Sequence, residues 1–262
     1  MKILSETNGA ISATMTTLNL RHAGLRQRTG AQLAEMFRKI SATVTTLNLS
    51  NSDFWPGAGY WRKTGAELAP AFRAIPDTVE TLDLSRNGLG TKTGAELVEM
   101  FTAIPPTVKT LDLGWNEFWH RPGDELAQAF RAIPDTVETL NLSGDRLWQR
   151  TGDALAEVLL AIRATVKTLN LSDNDLWQKN GAQLAEMFGV IRDTVTALDL
   201  SDNDLWQKTG DELAQAFRAI RDTVTTLNLS RNGPWVITGA TLEQAFRAIP
   251  DTVETLDLSR NG

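Results

Sequence analysis

The chain has 262 residues, 42% of them hydrophobic and 22% charged, a composition typical of a folded globular protein and not of a disordered polymer. It has no cysteine and only two histidines, His22 and His120, which excludes disulfides, thiolate zinc sites, cysteine nucleophiles and a three-histidine metal site within one chain. The net charge of −6 argues against a surface that binds nucleic acid.

The first residues do not resemble a targeting segment. Met1 is followed within a few residues by polar side chains, so no apolar region of signal-peptide length is present. No later run approaches the ~18 apolar residues that a spanning helix needs. We expect residues 1–14 to cover part of the first repeat, and we expect neither a signal peptide nor a membrane span.

A repeated string, Val-x-Thr-Leu-Asp/Asn-Leu, governs the rest of the chain. Its copies start 29 residues apart, except for a spacing of 35 between Val44 and Val79, where six extra residues lie near 55–61. The sequence therefore predicts eight repeats over 15–252 and the strand of an incomplete ninth over 253–262. The copies begin at Met15, Val44, Val79, Val108, Val137, Val166, Val195, Val224 and Val253.

Each repeat predicts a strand followed by a helix. In the repeat that starts at Val195, Leu198 and Leu200 alternate with small polar residues, which indicates a short strand with its leucines inward. Thr209 and Glu212 then form a capping-box pattern. The helix that follows places its apolar residues on one face, at Leu213, Ala216, Phe217 and Ile220. Prolines predict the helix end in other repeats, at Pro76, Pro105, Pro134 and Pro250.

Asparagine at the ninth position of the repeat predicts a ladder that joins adjacent repeats through buried amides. It stands at Asn87, Asn116, Asn174, Asn203, Asn232 and Asn261. Because neither the strand nor the helix can bury its apolar face alone, the repeats must stack. Helices need more spacing than strands, so we expect an α/β solenoid with a parallel sheet on the concave side and helices on the convex side.

The segment from Val79 to Leu89 resembles the leucine-rich repeat, with the period of its ribonuclease-inhibitor-like subclass. Its continuation to Leu97 is similar to leucine-rich repeat effectors of intracellular bacterial pathogens. This resemblance implies a protein-binding module without catalysis or cofactor, made in the bacterial cytoplasm and exported to that of the host cell. Two features depart from the pattern: tryptophan replaces Gly90 in most repeats, and no terminal cap follows the last strand. The open end predicts pairing with a second copy, unless the chain is shortened or designed.

The twelfth position of the repeat carries a row of tryptophans on the loop that rises from strand to helix. They are Trp55, Trp119, Trp148, Trp177, Trp206 and Trp235, and we group Tyr60, Trp61, Trp115 and His120 with them as the tryptophan edge. One hypothesis is that the indoles touch one another and fill gaps between loops. The other is an aromatic strip that binds a protein partner.

Cations stand two positions further on, at Arg28, Lys63, Lys92, Arg121, Arg150, Lys179 and Lys208. They predict either a solvated face or a polar rim beside the indoles. As candidate partner-binding residues of this rim we take Arg121, Arg150, Lys179 and Lys208.

The open face of the sheet predicts little chemistry. Threonine, asparagine, aspartate and serine recur there and favour a hydroxyl-and-amide ladder that stabilises the sheet. Asp83 and Asp112 are a weak catalytic pair, because no apolar pocket is evident that would raise one pKa. Two further hypotheses stay open: a structural scaffold, natural or designed, and an activator of a GTPase resembling that of Ran, presenting Arg86, Arg231 or Arg260.

Overall fold

The computed structural model describes residues 14–52, 63–149, 151–233 and 239–262. In these residues nine short strands form one parallel sheet in chain order, and eight helices alternate with them, which confirms the α/β solenoid. The strands are β1 Thr17–Asn19, β2 Thr46–Asn48, β3 Thr81–Asp83, β4 Thr110–Asp112, β5 Thr139–Asn141, β6 Thr168–Asn170, β7 Ala197–Asp199, β8 Thr226–Asn228 and β9 Thr255–Asp257. The helices are α1 Gly30–Arg38, α2 Gly65–Phe72, α3 Gly94–Thr102, α4 Gly123–Arg131, α5 Gly152–Leu160, α6 Gly181–Gly189, α7 Gly210–Phe217 and α8 Gly239–Phe246.

The sheet keeps one register along its length. Each strand position pairs with the same position of the next repeat, as Thr17 does with Thr46. The longer spacing between β2 and β3 leaves this unchanged, since Thr46 pairs with Thr81. The extra residues of this repeat therefore leave the register between β2 and β3 unchanged.

The core runs continuously between sheet and helices. Inward leucines such as Leu198 and Leu200 are buried, and so is Phe217 on the facing helix. Phenylalanine occupies this helical position in most repeats, and the rings of Phe101 and Phe130 lie 6.4 Å apart. Phe130 also meets Phe118 edge-on at 5.6 Å, so one side chain joins helix, loop and neighbouring repeat.

The capping box that the sequence predicts is present. The Thr209 hydroxyl accepts a hydrogen bond from the Glu212 amide at 3.2 Å, and the Glu212 carboxylate accepts one from the Thr209 amide at 3.1 Å. The prediction that proline ends the helices is wrong. α3 has nine residues and ends at Thr102, before Pro105, and α7 has only eight although Arg221 replaces the proline.

The asparagine ladder is confirmed. The Asn203 side-chain amide donates to the carbonyl oxygens of Leu171 and Leu200, both at 3.0 Å, and its oxygen accepts from the Asn174 amide at 2.9 Å. Each asparagine thus satisfies buried backbone groups in its own repeat and in the preceding one. The fifth repeat departs from this pattern, because Asp145 takes the place of asparagine and is fully buried.

The hydroxyl ladder lies elsewhere than predicted. On the open face the Asp199 carboxylate accepts from the Ser201 amide at 2.9 Å, a turn within one repeat. In the described residues most of the hydroxyls that join repeats belong to the threonine just before a repeat's first valine. Thr223, for example, donates to the carbonyl oxygen of Val195 at 3.1 Å. Thr45, Thr196 and Thr225, just after that valine, also donate to carbonyl oxygens of the preceding repeat.

Candidate functional site

Trp119, Trp148, Trp177 and Trp206 of the tryptophan edge lie on short 3-10 turns, which the repeat pattern did not predict. In the described residues they are Leu25–Gln27, Leu89–Thr91, Phe118–His120, Leu147–Gln149, Leu176–Gln178 and Leu205–Gln207. A buried leucine or phenylalanine begins each turn and anchors it to the core, as Leu205 does. The next residue is held by the neighbouring repeat, since the Trp206 amide donates to the Asn232 carbonyl oxygen at 2.9 Å.

The third repeat has no room for a tryptophan. Gly90 occupies the twelfth position there, and a Cβ added to it would lie 2.0 Å from the carbonyl oxygen of Glu117. Steric exclusion therefore explains why the third repeat has glycine where most repeats have tryptophan.

The described indoles of the row are half-buried, at Trp119, Trp177 and Trp206. None of the aromatic contacts in the described part of the chain joins Trp177 to Trp206, so the predicted ring contact is missing from this pair. Trp206 instead donates its indole N–H to the Asp204 carboxylate at 3.4 Å. Each described indole leaves part of its surface open to a partner.

Trp119 packs against the next residue of its own turn. Its ring stacks on His120 with centroids 3.6 Å apart, and the His120 Nε2 lies 3.4 Å from a Glu117 carboxylate oxygen. The Trp119 indole nitrogen is buried and has no hydrogen-bond partner in the described residues.

Five of the predicted partner-binding residues lie outside the residues that the structure describes. They are Trp55, Tyr60, Trp61, Arg150 and Trp235. Trp148 falls in the turn Leu147–Gln149, and its side chain lies outside the described part.

Trp115 is the most exposed of the described tryptophan side chains, with 41% of its surface accessible. It follows β4 at a position where φ is positive in most repeats. The guanidinium carbon of Arg86 lies 4.4 Å from its ring centroid, a cation–π geometry. The ring also covers Gly144, where an added Cβ would come within 2.4 Å of it. Arg86, Trp115 and Gly144 stand at the same position of three successive repeats, so the neighbours hold the indole in one orientation.

The prediction of a solvated row of cations is wrong for Lys63, Lys92 and Lys179, which are buried. The Lys63 ammonium donates to the Arg26 carbonyl oxygen at 2.5 Å, and the Lys92 ammonium donates to the carbonyl of Lys63. Burial lowers the pKa of Lys63 and of Lys179. Lys63 and Lys92 therefore join one repeat to the preceding one, because loop carbonyl oxygens away from water need donors.

The described rim residues therefore differ in how far their side chains are exposed to solvent. Lys179 is too buried to offer its charge at a surface, whereas Lys208 and Arg121 are half-buried. Arg121 donates its Nε to the Gly90 carbonyl oxygen at 2.9 Å and keeps another nitrogen 3.6 Å from the Glu125 carboxylate.

The acidic pair lies in register on the sheet, Asp83 opposite Asp112. Burial raises the pKa of Asp112, and Asp83 adds a smaller contribution in the same direction. In the described residues no group of three or more histidine, cysteine, aspartate or glutamate side chains is arranged to hold a metal ion. None of the described helices is long and apolar enough to span a membrane.

Solved structures with this architecture are known. The leucine-rich repeat-containing protein LegL7 from Legionella pneumophila is 33% identical to the chain and superposes with a TM-score of 0.80, over 94% of this chain and 84% of that one. The yeast Rad7 and Elc1 complex matches at 14% identity and a TM-score of 0.49, over 88% of this chain and 60% of that one. No family model matches the sequence, and no curated protein does either. On its repeat, its sheet and its identity to LegL7, the chain belongs to the leucine-rich repeat proteins.

Proposed function

We propose that the chain is a non-enzymatic protein-binding module, a bacterial effector whose partner is a host protein. The partner binds the tryptophan edge, with Trp115 as the anchor and Trp119, Trp177 and Trp206 beside it. The observation that carries the proposal is the exposure of Trp115, 41%, in a ring held on both sides by Arg86 and Gly144.

Interface energetics support this assignment. Tryptophan is enriched among the few residues that dominate protein–protein binding, and a ring already fixed in place loses little entropy when the partner arrives. Half-buried indoles around it supply apolar surface whose remaining area can be covered. Solenoids of repeats offer extended surfaces of this kind to protein partners.

The effector assignment draws on different support. The repeat resembles those of effectors from intracellular bacteria, and the similar protein LegL7 comes from Legionella pneumophila. The GTPase-activator hypothesis is less well supported, because it needs arginines that are free to reach a partner. The Arg86 guanidinium lies over the Trp115 ring, and Arg231 lies 3.9 Å from Asp202. The scaffold hypothesis stays the second candidate, because the backbone of the tryptophan row is bonded into the array.

The test compares two exposed apolar side chains. Proteins captured from host-cell lysate by the immobilised chain are identified, and the purified partner is titrated by calorimetry against Trp115→Ala and against Leu160→Ala. Leu160 is 46% exposed on α5, away from the tryptophan edge. We expect Trp115→Ala to weaken binding about 30-fold, roughly 2 kcal/mol, and Leu160→Ala to leave it unchanged.

The double variant Trp177→Ser/Trp206→Ser extends the test along the edge. Loss of binding with an unchanged circular dichroism spectrum supports the edge as the site. Unchanged binding in both tryptophan variants, or no partner at all, overturns the proposal. A much lower melting temperature with unchanged binding would favour the scaffold.

A further inference from the structure

Asp145 places a buried carboxyl group where the repeats that follow it have a ladder asparagine. At this position the side-chain amide of an asparagine donates to the leucine carbonyl oxygens of its own repeat and of the preceding one, as that of Asn203 does. For Asp145 the two corresponding acceptors are the carbonyl oxygens of Leu113 and Leu142. A carboxylate has no proton to donate to either of them, so each lacks one donor.

The neutral acid fits this position better than the carboxylate does. The Asp145 Oδ1 accepts from the Asn116 amide at 2.7 Å, whereas Oδ2 is buried and has no hydrogen-bond partner in the described part of the chain. A proton on Oδ2 lets the side chain donate to the carbonyl oxygen of Leu113 or Leu142. Without that proton, a negative oxygen faces carbonyl oxygens away from water, which costs free energy. Burial accordingly raises the pKa of Asp145 well above its ordinary value.

The turn that carries Asp145 also supports Trp115. The Trp115 amide donates to the Ser143 carbonyl oxygen at 2.7 Å, and the indole ring lies so close over Gly144 that no side chain would fit there. Asp145 comes next and accepts from the amide of Asn116, the residue after Trp115. Three successive residues of the fifth repeat therefore hold the indole, and a movement of any of them moves its support.

We propose that a single proton on Asp145 controls the orientation of Trp115. With the proton on Oδ2, the acid donates to a leucine carbonyl oxygen and the turn keeps the ring on Gly144. As the pH rises the O–H bond breaks, the proton passes to water and the electron pair stays on Oδ2. The charged group then turns towards water and draws Gly144 from under the ring. As a control of partner binding, this inference rests on the proposed function, because the same ring is the anchor there.

The charged groups around Asp145 favour the neutral acid or can be separated from it by experiment. Asp112 on β4 is negative and adds to the effect of burial. Arg86 lies on the opposite face of the Trp115 ring from Gly144. The adjoining turns carry further ionisable side chains. These are Glu117 and His120 in the preceding repeat, Arg146 on the same turn and Asp173 in the following repeat.

Carbon-13 NMR of the 262-residue chain tests the proton directly. The Asp145 carboxyl signal, identified by its loss in Asp145→Asn, is followed upward from about pH 4, near the ordinary pKa of an aspartic acid, to about pH 9. Because Gly144 lies under the Trp115 ring, its α protons carry a ring-current shift that reports the position of the ring. We expect both signals of the parent to change with one midpoint. In Asp145→Asn the Gly144 signal should stay constant.

Two control variants separate Asp145 from the other groups that titrate. Asp112→Asn and His120→Gln should both keep the Gly144 transition, and Asp112→Asn should move its midpoint to lower pH because it removes a negative charge. An Asp145 carboxyl signal without a transition overturns the proposal. So does a Gly144 signal that does not follow that transition, or one that changes equally in Asp145→Asn.

Binding supplies a second readout. For a purified partner, the dissociation constant of the parent should rise about tenfold as Asp145 ionises, and that of Asp145→Asn should stay constant. If no partner is found, the proposed function fails, and the NMR titration still decides whether the proton moves the ring. An affinity of the parent that stays constant through the Gly144 transition would overturn the control of binding.

Discussion

Asp145 breaks the asparagine ladder at one residue. Its Oδ1 accepts from the Asn116 amide at 2.7 Å, as a ladder asparagine would. Its Oδ2 is buried and has no partner among the described residues, because it stands where an amide NH₂ would donate to leucine carbonyl oxygens. Burial raises the pKa of Asp145 well above its ordinary value. The fifth repeat therefore carries a buried carboxyl group that resists ionisation.

Asp145→Asn should stabilise the protein at neutral pH. A carboxyl group whose pKa is raised by folding costs nothing below its unfolded pKa and destabilises the native state as the pH rises above about 4, until the raised pKa is passed. Asparagine restores the missing donor at every pH. We expect a gain of about 1–3 kcal/mol in the free energy of unfolding at pH 7, shrinking towards pH 4. Urea denaturation at several pH values measures this difference.

The reverse substitution is the control. Asn174→Asp places a carboxyl group at an equivalent buried position and should introduce a similar penalty with the same pH dependence. Equal stabilities of the parent and Asp145→Asn across this range would show that the buried carboxyl group carries no cost.

Side-chain contacts between repeats were the least predictable feature. The sequence singled out Trp115 but gave no sign that Arg86 covers its ring. It likewise grouped Lys92 with solvated cations, whereas the ammonium is buried against the preceding repeat. Both outcomes depend on how far one loop lies from the next, a distance that the residue pattern within one repeat does not contain.

At the scale of the element, periodicity was a sufficient guide to strands and helices. Alternating leucines located the strands, and the capping box located the start of α7. The 3-10 turns escaped prediction because three residues are too few to show a period. Helix ends were misassigned to proline, because the helices end three or four residues before that position whether or not proline occupies it.

The helix cap gives an element-scale prediction. Thr209→Ala removes the hydroxyl that accepts from the Glu212 amide at 3.2 Å and leaves that amide to water. We expect a loss of about 1 kcal/mol in the free energy of unfolding, measured by urea denaturation. Thr209→Ser keeps the oxygen and should stay close to the parent. Equal losses in both variants would assign the effect to the threonine methyl group.

Helix α4 has no side-chain hydrogen bond at its N-cap. α4 begins after Pro122, which has no side-chain cap, although Glu125 is present three residues later. The Glu125 carboxylate accepts from the Gly94 amide of the preceding repeat at 2.8 Å. Glu96 and Glu212 make the same bond to Gly65 and Gly181 while they also belong to capping boxes, so this bond is a feature of the repeat and does not replace the missing cap.

The whole molecule is a linear array in which each repeat contacts its neighbours. Its stability is therefore close to a sum of repeat and interface contributions, and the position of a defect matters as much as its chemistry. The phenylalanines that recur at one helical position allow the effect of a defect's position to be tested with a single residue type. Phe130 is fully buried between two repeats, and Phe246 is half-buried in the last one.

Phe130→Ala and Phe246→Ala should consequently differ both in their cost in stability and in the part of the chain that they loosen. The central cavity removes the contacts of Phe130 with Phe101 and Phe118 and should cost about 3–5 kcal/mol. Because the contact with Phe101 joins two repeats in the middle of the array, the halves should begin to unfold separately and the thermal transition should broaden. Phe246→Ala should cost less and loosen only the last repeat, visible as faster hydrogen exchange confined to α8 and β9. Equal costs with equally sharp transitions would mean that the array unfolds as a single unit, its ends coupled to its centre as strongly as adjacent repeats are to each other.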